Sequence, residues 1–273
     1  MSLLSFIKLG PILSRRLSIR KCHNVFGIKD LIQQERLDNF TVSPLTVKHF
    51  DMAVEVIKKY YLHEHVLVRA RNMNLSNDRA VDEYIISLLK QGNSLFVKAS
   101  DDSVAGVCIS FASSPIDAKN LRNYAFYRQD PNTKDFLYFT AKLQETPNLW
   151  QVFSQQKVFE IKMLTVLPAY RRQGLAVMLV EKSKEEAHDQ GYSVIRMDCI
   201  NQYDYKIAEK CNLQCIVKFP LHKLRGINAP YIKRSSEHNR YVRVYVDARV
   251  HPDVDIDRAE IKKKGSHLET LLE

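Results

Sequence analysis

The chain has 273 residues, 45% of them apolar and 26% charged, and a formal net charge of +10. That length and apolar content support one large domain or two small ones with a real core, and exclude a low-complexity chain. Six of the positive charges (Lys8, Arg15, Arg16, Arg20, Lys21, Lys29) lie ahead of the first acidic residue, Asp30. The remainder carries only about +4, which suits an anionic small molecule better than a polyanion, so no nucleic-acid partner is expected.

Residues 1 to 29 form an acid-free leader with serines and arginines. Leu13 and Leu17 lie one helical turn apart, with Arg16 and Arg20 on another stripe, the amphipathic pattern of a mitochondrial transit peptide. A matrix protein is the expectation, and an untargeted tail on a cytoplasmic protein the alternative. A secretory signal is disfavoured because Lys8 and Pro11 interrupt the apolar run. No later stretch approaches the ~18 to 20 apolar residues that span a bilayer. Five cysteines, an odd number without a C-x-x-C, imply reduced intracellular thiols.

Next, Asn39 to Thr46 reads as a first strand, and Thr46 caps a helix whose Phe50, Val54, Ile57 and Tyr61 recur at helical spacing. That helix runs out in Tyr60-Tyr-Leu-His-Glu-His-Val-Leu67. A second helix begins around Ser76 to Asp78 and stops at Gly92. Ser94–Ala99 and Val104–Ala112 flank a short polar link and predict a hairpin. Residues 114 to 157, punctuated by Pro115, Pro131 and Pro147, read as an insertion with two helices, about Asp117 to Tyr127 and Thr133 to Leu143. Its aromatic residues Phe126, Tyr127, Phe136, Tyr138, Phe139 and Trp150, with Tyr60 and Tyr61, could line an apolar pocket.

Val158 to Val166 is a strand in which Glu160 and Lys162 predict at least one wet position. Pro168 stops it. After the turn, Ala176, Leu179, Val180, Ser183 and Ala187 form the inward face of a helix, with Glu181, Lys184, Glu185 and His188 outside, and Gly191 ends it. Ser193–Cys199 is the next strand. Asn201 to Cys211 reads as a helix with Tyr203, Ile207 and Cys211 on one face. Gln214–Phe219 and Arg240–Asp247 are the last strands, and a polar tail follows to Glu273.

Arg171-Arg172-Gln173-Gly174-Leu175-Ala176, between strand and helix, carries the clearest chemistry. A helix start presents unpaired N–H groups and the positive end of the peptide dipoles, so it can hold an anion. Small residues at 174 and 176 admit a phosphate to the backbone, and two arginines add charge-assisted donors.

This strand, Val-x-Pro, Tyr-Arg-Arg-x-Gly-x-Ala turn and helix together resemble the acetyl-CoA signature of the GNAT N-acetyltransferase superfamily. Over residues 40 to 248 the element order β-α-α-β-β-(insertion)-β-α-β-α-β-β matches too. The resemblance implies an α/β (α+β mixed) fold, a mixed central sheet with helices on both faces. Within it, the Lys58-to-Leu67 helix end, the Tyr170-to-Leu179 turn and Met197-Asp-Cys-Ile-Asn-Gln-Tyr203 are similar to the insect-type arylalkylamine N-acetyltransferases. The implied cosubstrate is acetyl-CoA, its pyrophosphate held by Arg171 to Ala176 and its pantetheine by the backbone of Leu164, Thr165 and Val166, where the strand would splay, and by Asn201. The implied acceptor is a small amine, the implied assembly a monomer.

At neutral pH an alkylamine is mostly protonated, so a base is required. The family's base is an acidic residue just before a Pro-Leu pair. Here Val66 stands where the proline would be, and the base is either displaced to Glu64 or replaced by His65. The family's two serines after the fifth strand fall at Ile200 and Asp204, and its thiolate-protonating tyrosine at Ala208. The candidates for catalysis are therefore Glu64, His65 and Asp204. These departures leave open a chain that binds acetyl-CoA without turnover, or one that acylates a polyamine or protein amine. His63 and His65, at i, i+2 without accompanying ligands, do not make a metal site.

Overall fold

A computed structural model describes residues 39–75, 78–226, 229–233 and 239–254. The fold is built by the unit Thr41–Glu273. The leader, residues 1 to 29, and the polar tail from residue 255 onward lie outside the described residues.

Seven strands form one sheet in the order β1-β2-β3-β4-β5-β7-β6: β1 Phe40–Pro44, β2 Leu95–Ala99, β3 Val104–Ser113, β4 Val158–Val166, β5 Val194–Cys199, β6 Gln214–Pro220 and β7 Tyr241–Ala248. The last strand in sequence is inserted between β5 and β6, pairing antiparallel with both. The helices are α1 Phe50–Val56, α2 Val66–Arg71, α3 Arg79–Leu89, α4 Pro115–Phe126, α5 Pro131–Gln144, the short α6 Leu149–Val152, α7 Leu175–Asp189 and α8 Gln202–Lys210. Both faces of the sheet are covered. Val107 and Ile109 join the cluster made with α1 and α3, while Cys108 between them turns the other way, its Sγ 3.4 Å from Ser183 Oγ of α7. This mixed sheet flanked by helices is the fold the sequence predicts.

Between residues 114 and 157 the expected helices form, each begun by a proline in its first turn, where a missing N–H does no harm. Arg196 of β5 fastens the end of the second to the sheet. Its guanidinium, fully buried, donates to the Leu143, Gln144, Thr146 and Pro147 carbonyls at 2.6 to 3.1 Å and to Asp198 at 2.8 Å. An α-helix leaves its last carbonyls without partners, and here a strand arginine supplies them.

Three expectations need correction. Glu160 and Lys162 are not wet: α5 covers them, and they form an ion pair at 3.2 Å with side chains 2% and 8% exposed. Lys184 is not on a solvated face of α7, since its Nζ donates to the Cys211 carbonyl at 2.6 Å and lies 3.3 Å from Asp247. On α8 the inward face carries Tyr205 and Ala208; of the three residues expected there Cys211 is buried, Ile207 half-buried and Tyr203 exposed, because Tyr205, whose hydroxyl donates to the Tyr241 carbonyl of β7, is the tyrosine that turns inward.

Candidate active site

Two features open the sheet at its centre. Opposite β3, Ile109 faces Met163 and Ser110 faces Ile161, so Lys162 is an extra residue, a bulge that twists β4. On its other side β4 pairs in parallel with β5 only from Phe159↔Ile195 to Ile161↔Met197, although both strands continue. The strands therefore part after Ile161, three residues before the expected splay at Leu164.

That parting frees one edge of β4. Leu167 N–H donates to the Ala105 carbonyl at 2.9 Å, so the odd-numbered residues of this stretch pair with β3. By the alternation of an antiparallel ladder, the N–H and C=O groups of Leu164 and Val166 point to the open side. Thr165, between them, is buried. Gly106 lets the β3 backbone come close here, since a Cβ on it would meet the Thr165 carbonyl at 2.9 Å.

Beyond β4, Pro168–Tyr170 makes a 3-10 turn pinned by Tyr170 Oη and Ser103 Oγ, 2.5 Å apart. Arg172 (φ 65°) and Gly174 (φ 93°) take left-handed backbone conformations, and Gly174 caps α7 with no side chain on the helix end. The Met178 N–H is the one that bonds back to Gly174, which leaves the preceding amides, those of Leu175, Ala176 and Val177, without intrahelical partners. Gln173 and Ala176 are half-buried beside them, and Leu175 is buried. An uncapped helix start reached by a left-handed glycine, next to a strand edge with free peptide groups, fits an extended ligand with an anionic part, as a CoA thioester is.

Arg171 is the exception in this loop. Its Nε donates to the Val166 carbonyl at 2.8 Å, on the open edge, and its guanidinium grips Glu64 at 2.9 and 3.0 Å in a bidentate pair. The arginine expected at the phosphate thus bridges the cleft to the end of the first helix.

That helix end is shaped by two irregularities. After α1 the chain runs as a π-helical turn, Ile57–Leu62, packed on β4, and it then breaks at His65, which takes an extended conformation (ψ 131°) as the cap of α2. Val66 is the first residue of α2, a position that proline favours. The break sends neighbouring side chains in opposite directions: Glu64 is exposed at the mouth, and His65 is buried.

Inside lies a small cavity of about 30 Å³, room for one or two waters. Tyr61, His65, Phe136, Leu143, Met163 and Ile200 give it apolar walls, and Glu160, Lys162, Arg196 and Asp198 a polar floor. Of the aromatic residues expected at the pocket, Tyr61 and Phe136 line it, whereas Phe126 and Tyr127 are exposed and Trp150 is buried with its Nε1 on the Ser113 carbonyl. Burial pushes the His65 imidazole down to about 4, so it is neutral at physiological pH, and its Nδ1 has no partner. A base that weak takes a proton from an ammonium group poorly.

Asn201 and Asp204 complete the mouth. Asn201 Oδ1 caps α8 by accepting from the Tyr203 and Asp204 amides at 2.9 and 3.0 Å, and its Nδ2 donates to Asp204 Oδ2 at 2.5 Å. Its amide is thus engaged by the protein itself. Burial raises the Asp204 carboxyl to about 7, the Asn201 hydrogen bond opposes that, and the charge of Glu64 adds to it. Burial also raises the Tyr61 hydroxyl, with Asp204 next in effect, so Glu64, Asp204 and Tyr61 share one field. The structure brings Glu64, His65, Asp204, Arg171 and the open edge of Leu164–Val166 together. Arg172 stays exposed, and Ile200 and Ala208 are buried.

Asp198 and Arg196 were not singled out from sequence as site residues. They had a visible signal, an arginine and an aspartate two residues apart in a strand whose other residues are apolar. That they meet the site depends on which elements pack together. Among the described residues no group of three or more His, Cys, Asp or Glu could hold a metal, and no helix is long and apolar enough to cross a membrane.

A mixed sheet parted between two parallel strands, with an uncapped helix start at one lip and carboxylates at the other, is the arrangement of an acyltransferase. The acetyltransferase (GNAT) family model matches residues 65–211, and the chain belongs to that family of N-acetyltransferases. No curated protein sequence matches the chain. Among solved structures, a mosquito arylalkylamine N-acetyltransferase-like protein superposes with a TM-score of 0.70 at 18% identity, covering 77% of this chain and 99% of that one. Arylalkylamine N-acetyltransferase 2 from Aedes aegypti gives 0.69 at 21%, with 77% and 99% covered. The Drosophila melanogaster polyamine N-acetyltransferase, which forms N-acetylagmatine, gives 0.68 at 14%, with the same coverage. At these identities the likeness is one of fold.

Proposed function

We propose that this protein transfers the acetyl group of acetyl-CoA to the primary amine of a small arylalkylamine, by direct attack with both substrates bound. The observation that carries this reading is the juxtaposition of Asp204 and Glu64 with the unpaired edge of β4. Acetyl-CoA supplies the activated acyl carbonyl. The amides of Leu175 and Ala176, with Arg172 and Gln173, are the groups that would hold its phosphates, and the peptide groups of Leu164 with the Val166 N–H its pantetheine arm, the Val166 carbonyl being taken by Arg171.

The chain's own residues then have three tasks. Holding amine and acyl donor in one cleft converts a bimolecular step into an internal one, which can contribute several kcal/mol. Asp204 takes the proton the ammonium must lose: a carboxyl poised near pH 7 is about three units better matched to an amine than an ordinary aspartate. Glu64, exposed at the mouth, passes that proton to solvent once Arg171 releases it.

A panel of aromatic amines, polyamines and peptide amines, assayed with acetyl-CoA by release of free thiol, tests this. Turnover should be confined to aromatic amines. Faster turnover of agmatine or a peptide amine would move the acceptor class, and thermal stabilisation by acetyl-CoA without turnover of any amine would overturn catalysis. We also propose that residues 1 to 29 direct the protein to the mitochondrial matrix, on the strength of their acid-free amphipathic pattern.

A further inference from the structure

Resting on the reading of Asp204 as the base, we propose that Asn201 is its positioning residue: the side-chain amide clamps one carboxylate oxygen and leaves the other open to take the proton. Three observations carry this. First, the orientation of the amide is fixed. Oδ1 accepts from the Tyr203 and Asp204 backbone N–H groups at 2.9 and 3.0 Å, and only the oxygen of an asparagine side chain can accept, so Nδ2 is the atom presented to Asp204 Oδ2 at 2.5 Å. The extended backbone of Asn201 (φ −139°, ψ 161°) places the side chain there as the cap of α8.

The second observation is what the clamp leaves over. Asp204 Oδ1 has no hydrogen-bond partner among the described residues, and it is not sealed from solvent. A carboxylate with both oxygens bound must give up a bond before it takes a proton, whereas this one keeps a free oxygen in a fixed direction. In an ordinary capping box the carboxylate of the third helical residue returns to the backbone N–H of the cap. Here it meets the cap's side chain, so one amide fixes the carboxylate as well as the helix start.

Third, the surroundings of Asp204 leave the holding of its charge to Asn201. Glu64, from the end of the first helix, disfavours the ionised form, and Arg171 at the mouth is held by Glu64. Tyr61 of the π-helical turn, Cys199 of β5 and Tyr205 of α8 feel the charge of Asp204, and burial raises all three, so they stay neutral near pH 7. Burial and Glu64 push the carboxyl up, and Asn201 pulls it down. The side chain that the resemblance assigns to pantetheine thus has a second, better-placed partner in the base.

The test titrates the Asp204 carboxyl by carbon-13 NMR on the full chain labelled at aspartate, its signal identified by its loss in Asp204→Asn. Asn201→Gly removes the donor at a position where helix caps tolerate glycine, and the Asp204 midpoint should rise by about one pH unit, as loss of a hydrogen bond to a charged group implies. Asn201→Ser should restore part of it, since a serine at a cap can both accept and donate, as Ser114 does to Asp117 at 2.8 Å. In pH–rate profiles of Asn201→Gly the acid limb should rise by the same amount and the plateau kcat should fall about tenfold, with KM for acetyl-CoA unchanged. Added to Asp204→Asn, the same substitution should lower kcat no further. A midpoint that stays put in Asn201→Gly would overturn the proposal. So would a weaker Kd for CoA with the titration unmoved, which would make Asn201 a pantetheine ligand. If the midpoint moves but Asp204→Asn keeps the full rate, the clamp is supported and only the reading of Asp204 as the base falls.

Discussion

Replacing Asp204 with Asn should make the protein more stable and less active at once. Burial, the largest influence, lifts this carboxyl from an ordinary 3.8 to about 7. The folded chain therefore binds the proton more tightly than the unfolded chain, so the stability it contributes is complete below about pH 4 and is lost as the pH rises through about 7. A shift of about three units, at about 1.4 kcal/mol each, makes the ionised carboxylate cost the fold about 4 kcal/mol at pH 8. Asp204 keeps a partly open edge, so solvent screening makes that figure a ceiling. Asparagine is of the same shape, stays neutral, and can still accept from Asn201. In melts of the two proteins at pH 4, 6 and 8, the variant should match wild type at pH 4 and exceed it at pH 8, by up to about 10 °C for a domain of this size. Thiol-release assays should show kcat/KM lower by about 10² to 10⁴, as for loss of a general base, without the acid limb near pH 7. Identical melting at pH 8, or a retained acid limb at full rate, would refute the assignment of Asp204.

Glu64→Gln removes a charge that pushes the Asp204 carboxyl upward, so the acid limb of the pH–rate profile should move to lower pH. Its stability should change by less than about 1 kcal/mol, since the Arg171 pair is exposed, and its rate should fall far less than that of Asp204→Asn. The reverse order of rates would make Glu64 the base. Gly174→Val should abolish acetyl-CoA binding in calorimetry, because a β-branched residue is strained at φ 93° and would crowd the α7 amides; unchanged affinity would remove the cofactor turn from the site. A fusion of residues 1 to 29 to a fluorescent reporter should collect in mitochondria, and diffuse cytosolic fluorescence would count against the leader.

What the sequence made legible was local. The cofactor turn could be read because everything that defines it, an apolar strand, Pro168, two arginines, Gly174 and an amphipathic helix, lies within one continuous stretch. The helices of 114–157 were announced by Pro115 and Pro131 in the same way. The acceptor side was not legible, because its residues acquire meaning only from elements far apart in the chain. Alternation along β4 marks Glu160 and Lys162 as a wet position, and only the packing of α5 over them turns a wet position into a buried ion pair. Asp204 is one more surface carboxylate on α8 until the π-helical turn brings Glu64 and Tyr61 beside it.

The helix end at residues 61 to 65 shows what alignment alone leaves undivided. Matching a family's acidic residue to this run leaves two positions, 64 and 65, differing by one residue. In a regular helix that difference is a rotation of about 100°. Here the chain leaves helical geometry at His65, so the difference becomes one between two environments. Glu64 faces water and the Arg171 guanidinium. His65 faces a dry aromatic wall, where its imidazole stays neutral and accepts a proton poorly. Neither environment suits a general base, and the group placed between wet and dry, with a carboxyl tuned near neutrality, comes from α8. On the proposed reading, a helix break of a single residue thus moves the basic function from the first helix to Asp204.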